Sequence, residues 1–132
     1  MPGLRSRLFF ILITSIFMLL SYGHTAAQEK TPIVRLAKLL IDSSQLENYK
    51  AALREGIETA VRTEPGVLSL YAVYDINNPT HVTVFEIYAD ADAYKAHLET
   101  THFKKYKRTT MAMVKSLELT ETVPIALGTK RK

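Results

Sequence analysis

A proline followed at once by a glycine, Pro65-Gly66, separates two apolar patterns of different period. Before it, Leu46, Tyr49, Leu53, Ile57 and Val61 recur every three or four residues, one apolar stripe of an α-helix. After it, Val67 to Ile76 is rich in branched and aromatic residues with period two, one face carrying Leu68, Leu70, Ala72 and Tyr74, the other Val67, Ser69, Tyr71 and Val73. Pro65 has no amide hydrogen and disfavours helix at Glu64, so the helix ends there, and Gly66 is expected to supply the turn. A helix that meets a strand through so short a break packs back across it, which commits the chain to helices laid on a sheet.

The other elements follow from the same two periods. Ile33 to Ile41 reads as a first strand, with Arg35 and Lys38 on opposite faces. Ser44-Gln45-Leu46-Glu47 has the form of a capping box opening the first helix. Asn77-Asn78-Pro79-Thr80 is a turn by composition, and His81 to Ala89 returns as a third strand, making a hairpin. Asp90 or Asp92 caps the next helix, whose inward side carries Tyr94, His97, Leu98 and then Thr101 or His102. His102 to Met113 reads as a second short helix or a continuation, and Leu117 to Val123 alternates as a fourth strand. The order β-α-β-β-α-β is the ferredoxin-like α+β arrangement, a four-stranded antiparallel sheet with helices on one face. Tyr71, Val73, Phe85 and Ile87 then share an uncovered face, an aggregation hazard that a second copy laid face to face would remove.

Length allows one folded domain. Residues 1–27 have the layout of a signal peptide: Arg5 and Arg7, an apolar run from Leu8 to Leu20, and small residues up to Ala27. That run is shorter than the roughly 20 residues of a membrane span. Cleavage near Ala27 is expected, with an uncleaved N-terminal anchor as the rival; in a bacterium either puts the domain in the periplasm. Residues 28–32 read as a linker, 33–123 as the domain and 124–132 as a tail. Without Arg5 and Arg7 the net charge falls from +4 to +2, too balanced for a nucleic-acid partner. There is no cysteine, which excludes disulfides and thiolate chemistry.

Six polar side chains could carry chemistry: Glu86, Tyr88, Tyr94, His97, His102 and Arg108. Glu86, in a strand that otherwise reads as buried, is either paired or lines a cavity. His97 is either packed with one nitrogen satisfied or turned to a cavity, and His102 either caps a helix or joins it there. Their spacing of five does not suit a helical metal pair, so no metal is expected. No phosphate loop, nucleophile elbow, or flavin or nicotinamide motif is present.

Glu64-Pro65-Gly66-x-x-Ser69, the hairpin end Phe85-Glu86-Ile87-Tyr88, and Tyr94-x-x-His97-Leu98-x-Thr100-x-His102-Phe103, in this order, resemble the antibiotic biosynthesis monooxygenase (ABM) domain, a family that includes quinol monooxygenases. The resemblance implies a homodimeric α/β barrel with a pocket between sheet and helices in each subunit. It implies oxidation of a quinol or similar small phenol by O2 with no cofactor, the protein binding, orienting and deprotonating the substrate. Tyr88 stands where relatives commonly carry a pocket tryptophan; Tyr94 and Arg108 match a pocket tyrosine and arginine, and His97 and His102 match recurrent histidines. On this basis His97, His102 and Arg108 are the catalytic candidates, His97 or His102 taking the phenolic proton and Arg108 steadying the anion; Val84, Glu86, Tyr88 and Tyr94 would bind substrate. Val84 replaces an asparagine of the aromatic-polyketide relatives, and Ala37 and its neighbours lack the asparagine of haem-degrading ones, which argues against haem degradation. The rivals are a non-catalytic periplasmic small-molecule-binding dimer and an isomerase of the same fold.

Overall fold

The computed structural model describes residues 30–130; the expected signal peptide lies outside the described residues. In chain order the elements are β1 (Ile33–Ile41), a 3-10 turn (Ser43–Gln45), α1 (Leu46–Thr63), β2 (Val67–Tyr74), β3 (His81–Tyr88), α2 (Ala91–Glu99), α3 (Thr101–Thr110) and β4 (Val114–Thr122). The strands form one antiparallel sheet in the order β2-β3-β1-β4. This is the ferredoxin-like α+β fold expected from the element order. Among the described residues no helix is long and apolar enough to cross a membrane.

Register decides which side chains meet the helices. Ala37, Leu39 and Ile41 of β1 and Val82 and Val84 of β3 pack with Tyr49 of α1 into the main core. A smaller cluster joins Ala60, Val67 and Tyr88 at the other end. Arg35 shares the helix-facing side of β1 with these residues and is buried, while Lys38 points to the open side and is exposed. On that open face Tyr71 and Val73 are 60% and 64% exposed.

Several local expectations change. Ser44 does not cap α1; instead Asp42 accepts from the Ser44 amide at 2.8 Å and from its hydroxyl, and a 3-10 turn leads into the helix. An aspartate two residues earlier offers a charged acceptor to both groups, which outcompetes the neutral hydroxyl. The apolar stripe of α1 ends on Ala60, fully buried, and leaves Val61 half exposed. A register shift between Val67 and Ser69 rotates the start of β2, so Val67, not Leu68, joins the helix side opposite Tyr88. Gly66 has no positive φ. It is required for space: a Cβ there would lie 2.5 Å from the Cβ of Ala93 in the first turn of α2.

The two short helices are separate because of Thr100. Its backbone is extended (φ −66°, ψ 149°), its hydroxyl donates to the His97 carbonyl at 2.7 Å, and the same oxygen accepts from the Phe103 amide. Asp90, rather than Asp92, caps α2 by accepting from the Ala93 amide at 2.8 Å. The Thr100 break lets His97 and His102, on different helices, converge on one point. β4 begins three residues earlier than its alternation suggested, because Val114 to Ser116 pair with the end of β1 across a bulge.

Candidate active site

Between the helix-facing side of the sheet and α1, α2 and α3 lies a cavity of about 380 Å³. That is within the range of sites for small organic ligands. Its walls include aliphatic residues of sheet and helices together with the polar groups of Arg35, Glu86, Tyr88, Tyr94, His97 and Tyr106, and with Lys107, Thr110, Lys115 and Ser116 at the α3–β4 end. Val84 also lines it, so five of the seven residues singled out from sequence meet around one space. The other two lie elsewhere. Arg108 is exposed in the last turn of α3 and does not line the cavity. His102 borders a small neighbouring cleft between α1 and α3 and reaches the site only through Glu64.

Glu64 is the residue that sequence reasoning missed. It ends α1, where the proline turns the chain, and its carboxylate is nearly buried. His97 Nδ1 lies 2.9 Å and 3.1 Å from its two oxygens, and His102 Nε2 bonds to one of them. An ionised carboxylate only accepts, so both imidazoles donate to it. In a neutral His97 ring this contact puts the proton on Nδ1 and the lone pair on Nε2. Glu64 is not on the cavity wall and His97 is, so the edge of the ring opposite the carboxylate is the one available to a ligand. The signal that could have found Glu64 was the Glu-Pro-Gly motif itself, read only as a helix stop.

The His97 ring is held on its other sides by Phe103 at 4.7 Å and Tyr88 at 5.3 Å between centroids, and Tyr88 meets Tyr94 edge-on at 5.1 Å. Burial, reinforced by the charge of Glu86, pushes the Tyr88 phenol well above its ordinary range, so it is a hydrogen-bond donor and not a base at neutral pH. Burial also raises Glu86, against the opposing pull of the Arg35 charge and a Tyr88 hydrogen bond. Arg35 is cross-strand neighbour to Glu86 and stacks over the Tyr94 ring at 4.5 Å.

Glu64, His97 and His102 bring one carboxylate oxygen and two ring nitrogens within 4.8 Å of one another, a donor set that suits a divalent transition ion. In the structure those nitrogens lie at hydrogen-bond distance from the carboxylate. A carboxylate bonded to Nδ1 of an imidazole that lines a cavity is an arrangement able to orient that ring as a base.

The sequence profile of the antibiotic biosynthesis monooxygenase family matches residues 32–109. No curated protein matches the chain. Among solved structures, a candidate antibiotic biosynthesis monooxygenase from Bacteroides thetaiotaomicron is 52% identical with a TM-score of 0.74, the match covering 77% of this chain and 97% of that one. A candidate monooxygenase from Lactobacillus acidophilus is 31% identical (TM-score 0.70), over 74% of this chain and 46% of the other. One from Nitrosomonas europaea, at 21% identity and a TM-score of 0.67 over 71% and 99%, shares the fold. With its profile spanning residues 32–109, the chain belongs to the antibiotic biosynthesis monooxygenase family.

Proposed function

We propose that the protein is a cofactor-independent monooxygenase acting with O2 on a quinol or related small phenol. The observation that carries this reading is His97, held through Nδ1 by Glu64 while its ring lines the cavity. In this reading His97 Nε2 takes the phenolic proton. The electron-rich ring carbon next to the ionised oxygen forms a bond to O2, and the distal oxygen takes the proton from the imidazolium. Loss of the ring C–H proton with departure of water leaves a carbonyl. A quinol plus O2 thus gives a hydroxyquinone plus water, and the four electrons O2 gains are those the ring loses. Tyr88, kept neutral, donates a hydrogen bond to the developing anion.

The same reading includes a second copy on the open sheet face, burying Tyr71 and Val73, and export directed by residues 1–27. The test is anaerobic mixing of the purified protein with a panel of quinols, followed by O2. Quinone formation well above autoxidation, lost in His97→Gln, supports the reading. Ligand-induced stabilisation with no turnover on any member overturns it in favour of a binding module.

A further inference from the structure

Arg35 is 7% exposed, and it is a cavity-lining residue. A buried guanidinium is costly unless its five N–H groups and its charge are matched. Here the match is incomplete. Among the described residues Arg35 makes no ion pair, and its Nε is the buried side-chain nitrogen that has no hydrogen-bond partner. Its cross-strand neighbours on the helix-facing side are Glu86 on β3 and Glu121 on β4. Glu121 is exposed and outside the cavity wall. Glu86 is on the wall but makes no ion pair with it. The Tyr94 ring beneath the guanidinium fixes its plane and offers no acceptor.

The remaining charges point the same way. Lys107 and Lys115 line the cavity, and Glu86 is its one acidic wall residue. The space therefore presents a partly unpaired cation on the sheet side of a partly open cavity, with the Glu64-held imidazole on the helix side.

We propose that this cavity is built for an anionic ring compound, its carboxylate received by the cavity-facing edge of the Arg35 guanidinium. A carboxylate matches that edge with two parallel hydrogen bonds and cancels the buried charge. Ring substituents that carry the reacting hydroxyls then extend toward His97. The inference deepens the quinol reading by naming the substrate as a phenolic acid, and it rests on that reading only for the hydroxyls, not for the carboxylate.

The experiment is an anaerobic calorimetric titration with 2,5-dihydroxybenzoate and its uncharged amide, 2,5-dihydroxybenzamide. The wild-type protein binds the acid about tenfold or more tightly than the amide, the loss expected when a charged pair becomes neutral. In Arg35→Met the two bind within about twofold of each other, and Arg35→Lys keeps part of the preference because the charge remains and the fork is lost. Equal affinity for acid and amide in the wild type overturns the proposal. So does failure of the acid to bind at millimolar concentration. The wild-type comparison decides the matter even if Arg35→Met does not fold. Acid-selective binding without oxygen consumption retains the anion site and removes the monooxygenase; oxygen-consuming turnover of quinols with no preference for the acid over the amide does the reverse.

Discussion

Replacing Glu64 by glutamine changes one atom of the site and separates chemistry from packing. The carboxylate accepts from both imidazoles, with His97 Nδ1 at 2.9 Å. Glutamine offers one carbonyl oxygen and one amide nitrogen, so one ring keeps its acceptor and the other faces a donor. If His102 keeps the oxygen, His97 must present a lone pair at Nδ1, and its proton moves to Nε2. The base then becomes a donor. Loss of a positioned general base costs about 100- to 10,000-fold in rate. On the stability side, losing one charge-assisted hydrogen bond costs about 2 kcal/mol, or roughly 10 °C in a domain of this size. Oxygen-electrode kinetics with a quinol and calorimetric unfolding measure the two effects independently. A fall in kcat with little change in KM, on a protein still folded at the assay temperature, is the expected result. Glu64→Asp, which keeps the charge on a shorter arm, should retain more activity than Glu64→Gln. A folded Glu64→Gln with kcat within threefold of wild type would refute the orienting role.

Three further perturbations test the frame around the site. Gly66→Ala drives a methyl group into Ala93, where the gap is 2.5 Å, and should cost about 1–3 kcal/mol; Ala93→Gly in the same chain should recover much of it, and additive losses in denaturant melts would contradict the contact. Glu86 has a raised carboxyl pKa in the folded state, chiefly from burial, so the folded form holds its proton more tightly than the unfolded one. Its contribution is therefore full below the ordinary glutamate range and is lost as pH rises through the folded value; the melting temperature of Glu86→Gln relative to wild type should climb between pH 4 and pH 8, and a flat difference would mean the group is not desolvated. Tyr71→Lys with Val73→Lys places two charges on the open sheet face. Light scattering should find the wild type dimeric and this variant monomeric, whereas identical masses for the two argue against that face as the interface.

Much of the fold was legible because the chain keeps two clean periods and interrupts them with strong punctuation. Pro65 could only end a helix, and Leu117 to Val123 could only alternate. The errors fell where local chemistry competes within a residue or two. Asp42 and Ser44 are both good caps, and only the geometry of the strand exit favours the aspartate. Leu68 and Val67 exchange faces because a bulge adds one residue, which no alternation pattern announces. In the site, strand period put Val84, Glu86 and Tyr88 on one face and helix period put Tyr94 and His97 inward, whereas the resemblance to the family singled out Val84 as a site position. Glu64 did not, because its role depends on contacts with α2 and α3 more than thirty residues later. Arg35 was visible as a break in the apolar pattern of β1, but a charge in a strand says nothing of whether a partner awaits it. Arg108 matched by position, yet its place on the last turn of α3 turns it to solvent, and the guanidinium inside the cavity comes from the sheet.

The most direct measurement of the central claim is the stoichiometry of oxygen use, with peroxide assayed in the same vessel, for wild type and His97→Gln. An imidazole that starts oxygen insertion predicts one O2 consumed per quinol, a hydroxylated quinone as product, no free hydrogen peroxide, and near-background rates in the variant. Peroxide released in equal amount to the oxygen consumed, or an unchanged rate without His97, would contradict it.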